Sequence, residues 1–230
     1  MPEIDADRGA YYLGATAPDI RVITRLDRRV THFYELDELG AQDSVARMFE
    51  EHPSLTRAAG LDAATTAFIC GFVTHLVLDE RYIEAVFRSQ FGINSPLKDD
   101  PRRSVLDRAL QYEIDRRDRL DREVMRQVEV ALAACAPLSG LPFIEDDHLV
   151  RWGATATDVA GQPPDFERFE RMMVRHMRDA GYDEQSVIDE CADPEGLVNE
   201  AFDLVGAECI ERFDREAADL MTERVREYLR

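Results

Sequence analysis

The amino-acid sequence predicts an all-α protein with a single domain. Its 230 residues can bury a substantial core, and 45% of them are apolar. These apolar residues recur three and four positions apart, the spacing of one helix face, and do not alternate as in strands. Glu, Arg, Ala and Leu, all good helix formers, are abundant. Because no internal repeat, low-complexity tract or long linker divides the sequence, one multi-helix bundle is expected.

The N-terminal part is predicted to hold two short helices separated by a loop. A first helix over 5–16 should end before Pro18, because the residue preceding a proline avoids the helical region. A loop rich in Arg and Asp then covers 17–39, including His32. A second helix over 43–51 should end at the His-Pro pair that follows it.

A long helix from Asp62 to about residue 91 is predicted to lie in the middle of the bundle. Asp62 is a good N-cap residue, and Gly92 can close the helix. The helix is apolar on nearly every side, which is typical of a helix surrounded by others. Its apolar residues are Phe68, Ile69, Phe72, Val73, Leu76, Val77 and Leu78. The apolar stretch is too short and too polar to span a bilayer.

The next segment is predicted to be one helix from near residue 101 to about 134. Its apolar stripe would consist of Leu106, Leu110, Leu120, Val124 and Ala131. Residues 115–119 mix Asp and Arg, which favours a solvated face with ion pairs inside the helix. A break is expected at 137–140, where a proline and a glycine stand.

The last third is predicted to contain one loop and three helices. Residues 153–164 are the best loop candidate because they begin with glycine and end with proline. A helix over 165–176 should end at Gly181, and a short helix is expected at 183–191. Pro194 suits the first turn of a final helix that reaches the C-terminus. That helix either packs on its own bundle or pairs across a homodimer.

The charge of the chain argues against polyanionic partners. Only 28 Lys and Arg residues stand against 47 Asp and Glu, which gives a formal net charge of −19 at pH 7. Such a surface repels phosphate backbones and anionic lipid head groups, so neither nucleic-acid binding nor stable membrane association is expected. The four cysteines form no CxxC pair, and no signal-peptide pattern is visible. A cytoplasmic protein with reduced thiols is the expectation.

Two stretches of the sequence carry side chains that suit a metal ion. His75 and Asp79 are four apart in the apolar helix, so they share one face. An ionised Asp79 there would be costly unless it is paired or metal-bound. Asp19 and His32, earlier in the chain, could reach the same place, and imidazole with carboxylate suits zinc, iron or manganese. The alternative for the helical pair is a buried His–Asp hydrogen bond that only ties helices together.

The order of these residues resembles the zinc-dependent phospholipase C family, to which the S1/P1 nucleases are related. The matching segments are Asp19, then Thr31-His32-Phe33-Tyr34, then His75-Leu-Val-Leu-Asp79. In that all-helical fold an Asp in the first loop, an S/T-H-F-Y segment and a helical HxxxD together hold one metal. The resemblance is clearest over residues 11–87, and it implies a zinc-dependent phosphoesterase with Asp19, His32, His75 and Asp79 as ligands.

The same resemblance implies that only one of the family's three metal sites is retained. A second site would need a histidine before the first Asp, but the first histidine in this chain is His32. A third would need a histidine where Ala85 stands, and a later HxxxE, which is absent. Four protein ligands fill a tetrahedral zinc, as in structural sites, whereas catalytic sites keep a position open for water.

Glu113 is the one candidate catalytic residue outside this set. It falls on the apolar stripe that contains Leu106 and Leu110. A buried carboxylate has a raised pKa, so Glu113 could serve as a general base or as a further metal ligand. The alternative is an internal ion pair with Arg117, one helical turn later. The HExxH and GxSxG patterns and the phosphate-binding glycine loops are all absent from the sequence.

These observations favour a metal-dependent hydrolase that acts on a small soluble phosphoester by means of a metal-activated water. Two other functions stay open at this point. One is a non-catalytic helical bundle whose single metal ion is structural, and the other is a mononuclear metalloenzyme of different chemistry. An ion that keeps an exchangeable water facing a cavity would favour an enzyme.

Overall fold

The computed structural model describes residues 1–36 and 38–230, and over these residues the chain forms helices and no strand. The predicted all-α class is therefore confirmed. Asp37, which falls within the loop expected at 17–39, lies outside the described residues. None of the described helices is both long enough and apolar enough to cross a membrane.

The α-helices are numbered in chain order. They are α1 (Pro2–Ala6), α2 (Arg8–Thr16), α3 (Arg21–Thr24), α4 (Arg28–His32), α5 (Ser44–Glu51), α6 (Ala63–Tyr82), α7 (Arg103–Asp118), α8 (Arg122–Ala133), α9 (Asp146–Gly161), α10 (Phe166–Asp179), α11 (Glu184–Glu190), α12 (Pro194–Val205) and α13 (Ala207–Tyr228). Short 3₁₀-helical segments occupy Ala17–Ile20, Pro53–Leu55 and Ala58–Gly60, and α6 continues as a π-helical segment over Ile83–Phe91.

Several predicted helix starts are confirmed by their caps. The Asp62 carboxylate accepts a hydrogen bond from the backbone N–H of Thr65 at 2.9 Å, just before α6. Asp43 and Asp165 accept equivalent bonds at the starts of α5 and α10. Pro194 occupies the first turn of α12 as expected. Each of these side chains satisfies a backbone N–H that has no partner within its helix.

The described chain divides into two compact units. The first comprises Met1–Arg81, Met125–Gln162 and Arg215–Arg230, and the second comprises Tyr82–Val124 and Pro163–Asp214. The four predicted metal ligands all belong to the first unit, and Glu113 belongs to the second. The expectation of a single domain stays a prediction, and so does the phospholipase C type of bundle.

The core of the first unit includes the apolar side chains of α6. Phe68, Phe72 and Leu76 are fully buried there, as the all-round apolar pattern predicts. Leu78 is the exception, since it is exposed. In the second unit, α7 packs against α10 and α12. The buried side chains on these three helices include Leu110, Phe169, Met173, Val198 and Ala201.

Close contact between α2 and α6 depends on glycine. A Cβ atom at Gly71 would overlap the carbonyl oxygen of Tyr11 and lie 2.7 Å from the backbone nitrogen of Ala15. A Cβ at Gly14 would likewise overlap the backbone of Phe68. Only residues without a side chain allow two helix backbones to approach this closely. This contact places the end of α2 beside the middle of α6.

The helix predicted over 101–134 is interrupted, which corrects the sequence analysis. The α7 helix ends at Asp118 and α8 begins at Arg122. The Asp121 carboxylate accepts a hydrogen bond from the backbone N–H of Val124 at 3.0 Å, as N-cap residues do. Leu120 and Val124 are about half exposed, so they do not belong to a buried stripe. Residues 115–119, which precede them, are all charged. They bury little apolar surface, so tertiary packing does not stabilise a continuous helix there.

Further boundaries also differ from the prediction. Most of the expected loop at 153–164 belongs to α9, because an apolar face of α9 is buried and its packing overrides the glycine at 153. The expected final helix is divided at Gly206, which ends α12 with a φ of +82°, a value that glycine adopts without steric cost. The first helix is divided at Asp7, and the expected loop at 17–39 contains α3 and α4.

Candidate metal centre

Three of the four predicted ligands come together in the first unit. One ligand atom each from Asp19, His32 and His75 lies within 4.8 Å of the other two. The two imidazole rings meet edge to face, with centroids 5.4 Å apart and an interplanar angle of 74°. Nε2 of His32 lies 3.6 Å from a carboxylate oxygen of Asp19. Two imidazoles and a carboxylate are a common donor set for zinc, so these residues fit one divalent ion.

His75 is oriented by the backbone of α2. Its Nδ1 lies 2.8 Å from the carbonyl oxygen of Ala15. A carbonyl oxygen can only accept, so Nδ1 carries the proton and, in the neutral ring, Nε2 keeps its lone pair for a metal. Gly71 stands one turn before His75 on α6, and its missing side chain lets Ala15 approach this closely. Metal-binding histidines are usually held by a hydrogen bond of this kind.

His32 ends α4 and is almost completely buried, with 1% of its surface exposed. Its Nδ1 lies 2.9 Å from the hydroxyl of Thr31, and that hydroxyl lies 3.4 Å from the carbonyl oxygen of Arg28. A hydroxyl that donates to the carbonyl can still accept from Nδ1, so Nδ1 is held by Thr31 and Nε2, on the side of Asp19, is the nitrogen that a metal would bind. Phe33, with a left-handed φ of +54°, closes the helix immediately after His32.

Asp19 stays ionised because the groups beside it favour the charged carboxylate. Its side chain is 55% exposed to solvent, although neighbouring protein groups desolvate part of the carboxylate. This desolvation raises the pKa, but the polar contact with His32 and the electrostatic effects of His75 and Arg28 outweigh it and leave the pKa well below its usual value. An ionised, solvent-accessible carboxylate is ready to bind a cation.

His32 is held in its neutral form near pH 7. Burial lowers its pKa, and Arg28 and His75 lower it further, while the hydrogen bond with Asp19 and the charge of Asp79 act in the opposite direction. The net shift is downward from the ordinary value of histidine. Because a metal binds the neutral imidazole, this shift favours metal binding.

The structure does not bring Asp79 into the group. Its carboxylate forms an ion pair with the guanidinium of Arg28, and both side chains are about three-quarters buried. The buried charge of Asp79 is thus compensated by an arginine and not by a metal ion. Sequence reasoning missed Arg28 because it stood in a predicted loop. In the helix α4, Arg28 and His32 are four residues apart and therefore share one face. This spacing is the signal that could have placed Arg28 beside the site.

Glu113 lies in the second unit and is paired with two arginines. Its carboxylate accepts from Nε of Arg116 and from Nε of Arg117, each at 2.7 Å. Burial raises its pKa, but these two hydrogen bonds outweigh burial and leave the pKa below its usual value. The expected raised pKa is therefore wrong, and the alternative, an ion pair with Arg117, is confirmed. Such a carboxylate is a poor proton acceptor at neutral pH.

Comparisons of the chain with protein-family models, with curated proteins and with solved structures find no match. The interpretation of the site therefore rests on its residues and on their geometry.

Proposed function

We propose that the chain is a metal-dependent hydrolase of a small phosphoester, with one divalent ion held by Asp19, His32 and His75. The observation that carries the proposal is the approach of these three ligand atoms to within 4.8 Å of one another. Zinc is the metal that this donor set suits best, and iron and manganese also accept imidazole with carboxylate.

The number of ligands favours catalysis over a purely structural role. Structural zinc sites are closed by four protein ligands, whereas catalytic sites combine three protein ligands with a water. With the Asp79 carboxylate engaged by Arg28, three ligands remain. Asp19 is also exposed, so water and substrate can reach the centre. This geometry supports an enzyme more than a structural metal site.

Each residue has a separate task in this proposal. The ion, when bound, would polarise a phosphoryl oxygen and lower the pKa of a water. The carbonyl of Ala15 and the hydroxyl of Thr31 hold the two imidazoles in orientation. Asp19 is ionised and offsets part of the charge of the ion. Arg28 places a further positive charge close to Asp19 and His32.

The phosphoester substrate class is proposed from two further observations. It is supported by the likeness of the Asp19, His32 and His75 segments to the zinc-dependent phospholipase C pattern, and by the all-helical class. A cationic side chain beside a metal centre is also what an anionic substrate requires. The alternatives, a structural ion or a mononuclear enzyme of other chemistry, predict no hydrolysis of phosphoesters.

The test is hydrolysis of p-nitrophenyl phosphate and bis-p-nitrophenyl phosphate by the chain loaded separately with zinc, iron or manganese. We expect activity with at least one metal, and its loss in a variant that carries both His32→Ala and His75→Ala. His176→Ala is the matched control, because His176 is a half-buried histidine of the second unit. Tight metal binding without hydrolysis above the level of the double variant would overturn the proposal.

A further inference from the structure

We infer that Arg28 is the anion-binding residue of this site, and that its guanidinium binds the phosphoryl oxygens of the substrate while Asp79 orients it. The inference deepens the proposed function and rests on it, because it assigns the group that recognises the anion beside the metal. It adds a residue that the ligand pattern does not contain.

Arg28 reaches Asp79 because α4 and α6 lie side by side. On α4, Arg28 stands one turn before His32, and on α6, Asp79 stands one turn after His75. His32 faces His75, and Arg28 pairs with Asp79. The ion pair therefore lies one helical turn from the imidazole pair, close enough for Arg28 to influence Asp19 and His32 electrostatically.

The guanidinium of Arg28 has donors to spare. A guanidinium carries five N–H donors in a planar fork that matches two oxygens of a phosphoryl group. Asp79 engages the Nη2 atom. The Nε atom is buried and has no hydrogen-bond partner among the described residues. The Arg28 side chain keeps 23% of its surface exposed, so a phosphoryl oxygen can approach the donors of the guanidinium that Asp79 leaves free.

The charge of the site makes anion binding depend on the metal. With neutral imidazoles, two carboxylates (Asp19 and Asp79) and one guanidinium (Arg28) leave one net negative charge. A divalent ion reverses this to one net positive charge. We therefore expect an anion to bind to the metal-loaded protein much more tightly than to the metal-free protein.

An ordinary ion pair is the competing explanation. In that case Arg28 would only neutralise Asp79, whose charge would otherwise be partly buried without compensation. The two explanations differ in one measurable respect. Only the anion-binding role makes the affinity for phosphate depend on Arg28.

The experiment is calorimetric titration of inorganic phosphate into zinc-loaded and metal-free protein, with the zinc content measured on the same samples. We expect Arg28→Gln to weaken phosphate binding by about tenfold or more, since a charge-assisted hydrogen bond is lost. Arg28→Lys keeps the charge but loses the planar fork, so its affinity should be intermediate. Arg29→Gln is the matched control on the same helix, because Arg29 is exposed and pairs with Glu35.

Unchanged phosphate affinity in a folded Arg28→Gln variant would overturn the inference. If that variant unfolds because Asp79 is left unpaired, the double variant with Arg28→Gln and Asp79→Asn removes both charges and tests the same point. It should fold and still bind phosphate weakly, and wild-type affinity in it would count against the role of Arg28.

Failure of the inference and failure of the proposed function are distinguishable. Zinc binding with phosphate affinity that is insensitive to Arg28 would overturn the inference alone. Absence of zinc from the wild-type protein would overturn the metal site. The titration of phosphate into the metal-free protein would then decide whether Arg28 binds the anion. Phosphate binding that Arg28→Gln abolishes would support an anion site without a metal, and no phosphate binding at all would overturn both proposals.

Discussion

His75 donates its Nδ1 proton to the carbonyl oxygen of Ala15 at 2.8 Å, so a backbone group on α2 fixes the orientation of a proposed metal ligand on α6. The partner of His75 is a backbone carbonyl, so this hydrogen bond forms only if α2 and α6 pack closely. The geometry of the site is therefore tied to the glycine contact between the two helices.

Gly71→Ala should destabilise the protein and weaken metal binding together. The added Cβ would meet backbone atoms of Tyr11 and Ala15, which cannot rotate away, so the helices must separate. Overpacking of this kind costs about 1–3 kcal/mol of the free energy of unfolding. Gly60→Ala is the control, since nothing lies within 4 Å of its Cβ, and it should change stability by less than about 0.5 kcal/mol. Urea denaturation and a zinc titration of both variants would check this, and equal stabilities would contradict it.

Thr31→Val should weaken metal binding through His32. The hydroxyl of Thr31 is the hydrogen-bond partner of the His32 Nδ1 atom, and loss of such a partner lowers metal affinity by about 10- to 100-fold. Thr74→Val is the control, because Thr74 is a buried threonine whose hydroxyl bonds to the carbonyl of Gly71. Competition with a chromophoric chelator measures both affinities. If the two variants lose the same affinity, general destabilisation explains the effect and Thr31 has no specific role.

Asp79→Asn should leave about one metal ion per chain, in contrast to His75→Ala. The reason is that Asp79 pairs with Arg28, while the other three residues form the group of ligands. Elemental analysis of both variants checks this. If Asp79→Asn loses the ion as completely as His75→Ala does, Asp79 is the fourth ligand, as the sequence pattern suggested.

Glu113→Gln should destabilise the protein at neutral pH and much less in acid. The pKa of Glu113 is lowered in the folded state, so its ionised form contributes stability above the ordinary pKa of about 4.3, and this contribution is lost as the pH falls through the lowered value. We expect a loss of about 1–3 kcal/mol near pH 7 from the unmade hydrogen bonds of the two arginines.

Urea denaturation of the wild-type and Glu113→Gln proteins at several pH values between 7 and 3 measures this difference. A difference that stays constant over the whole range would show that Glu113 acts through packing and not through its charge.

The fold class and three members of the site could be predicted from the sequence because they depend on local patterns. Helical periodicity indicated α6 and its burial, and the four-residue spacing placed His75 on a defined face. Asp19 and His32 were found by resemblance of their segments to a known pattern. Their meeting with His75 is a contact between distant segments, and the resemblance was the signal that indicated it.

The parts that could not be predicted depend on contacts between distant segments. The pairing of Arg28 with Asp79 joins residues that are 51 positions apart. Nothing local indicates it, because α4 is too short to show a periodic pattern. The burial of α9 overrode the glycine that predicted a loop, and the pKa of Glu113 follows from two arginines whose contacts outweigh burial.

The most direct test of the account is the metal content of the chain purified without chelator, measured by elemental analysis beside the variant with His32→Ala and His75→Ala. The account predicts about one tightly bound ion per wild-type chain and none in the variant, with both proteins folded by circular dichroism. A wild-type protein that binds no zinc, iron or manganese when these are supplied, and that is no more stable than the variant, would contradict it. Asp19, His32 and His75 would then be no more than a cluster of hydrogen-bonding side chains.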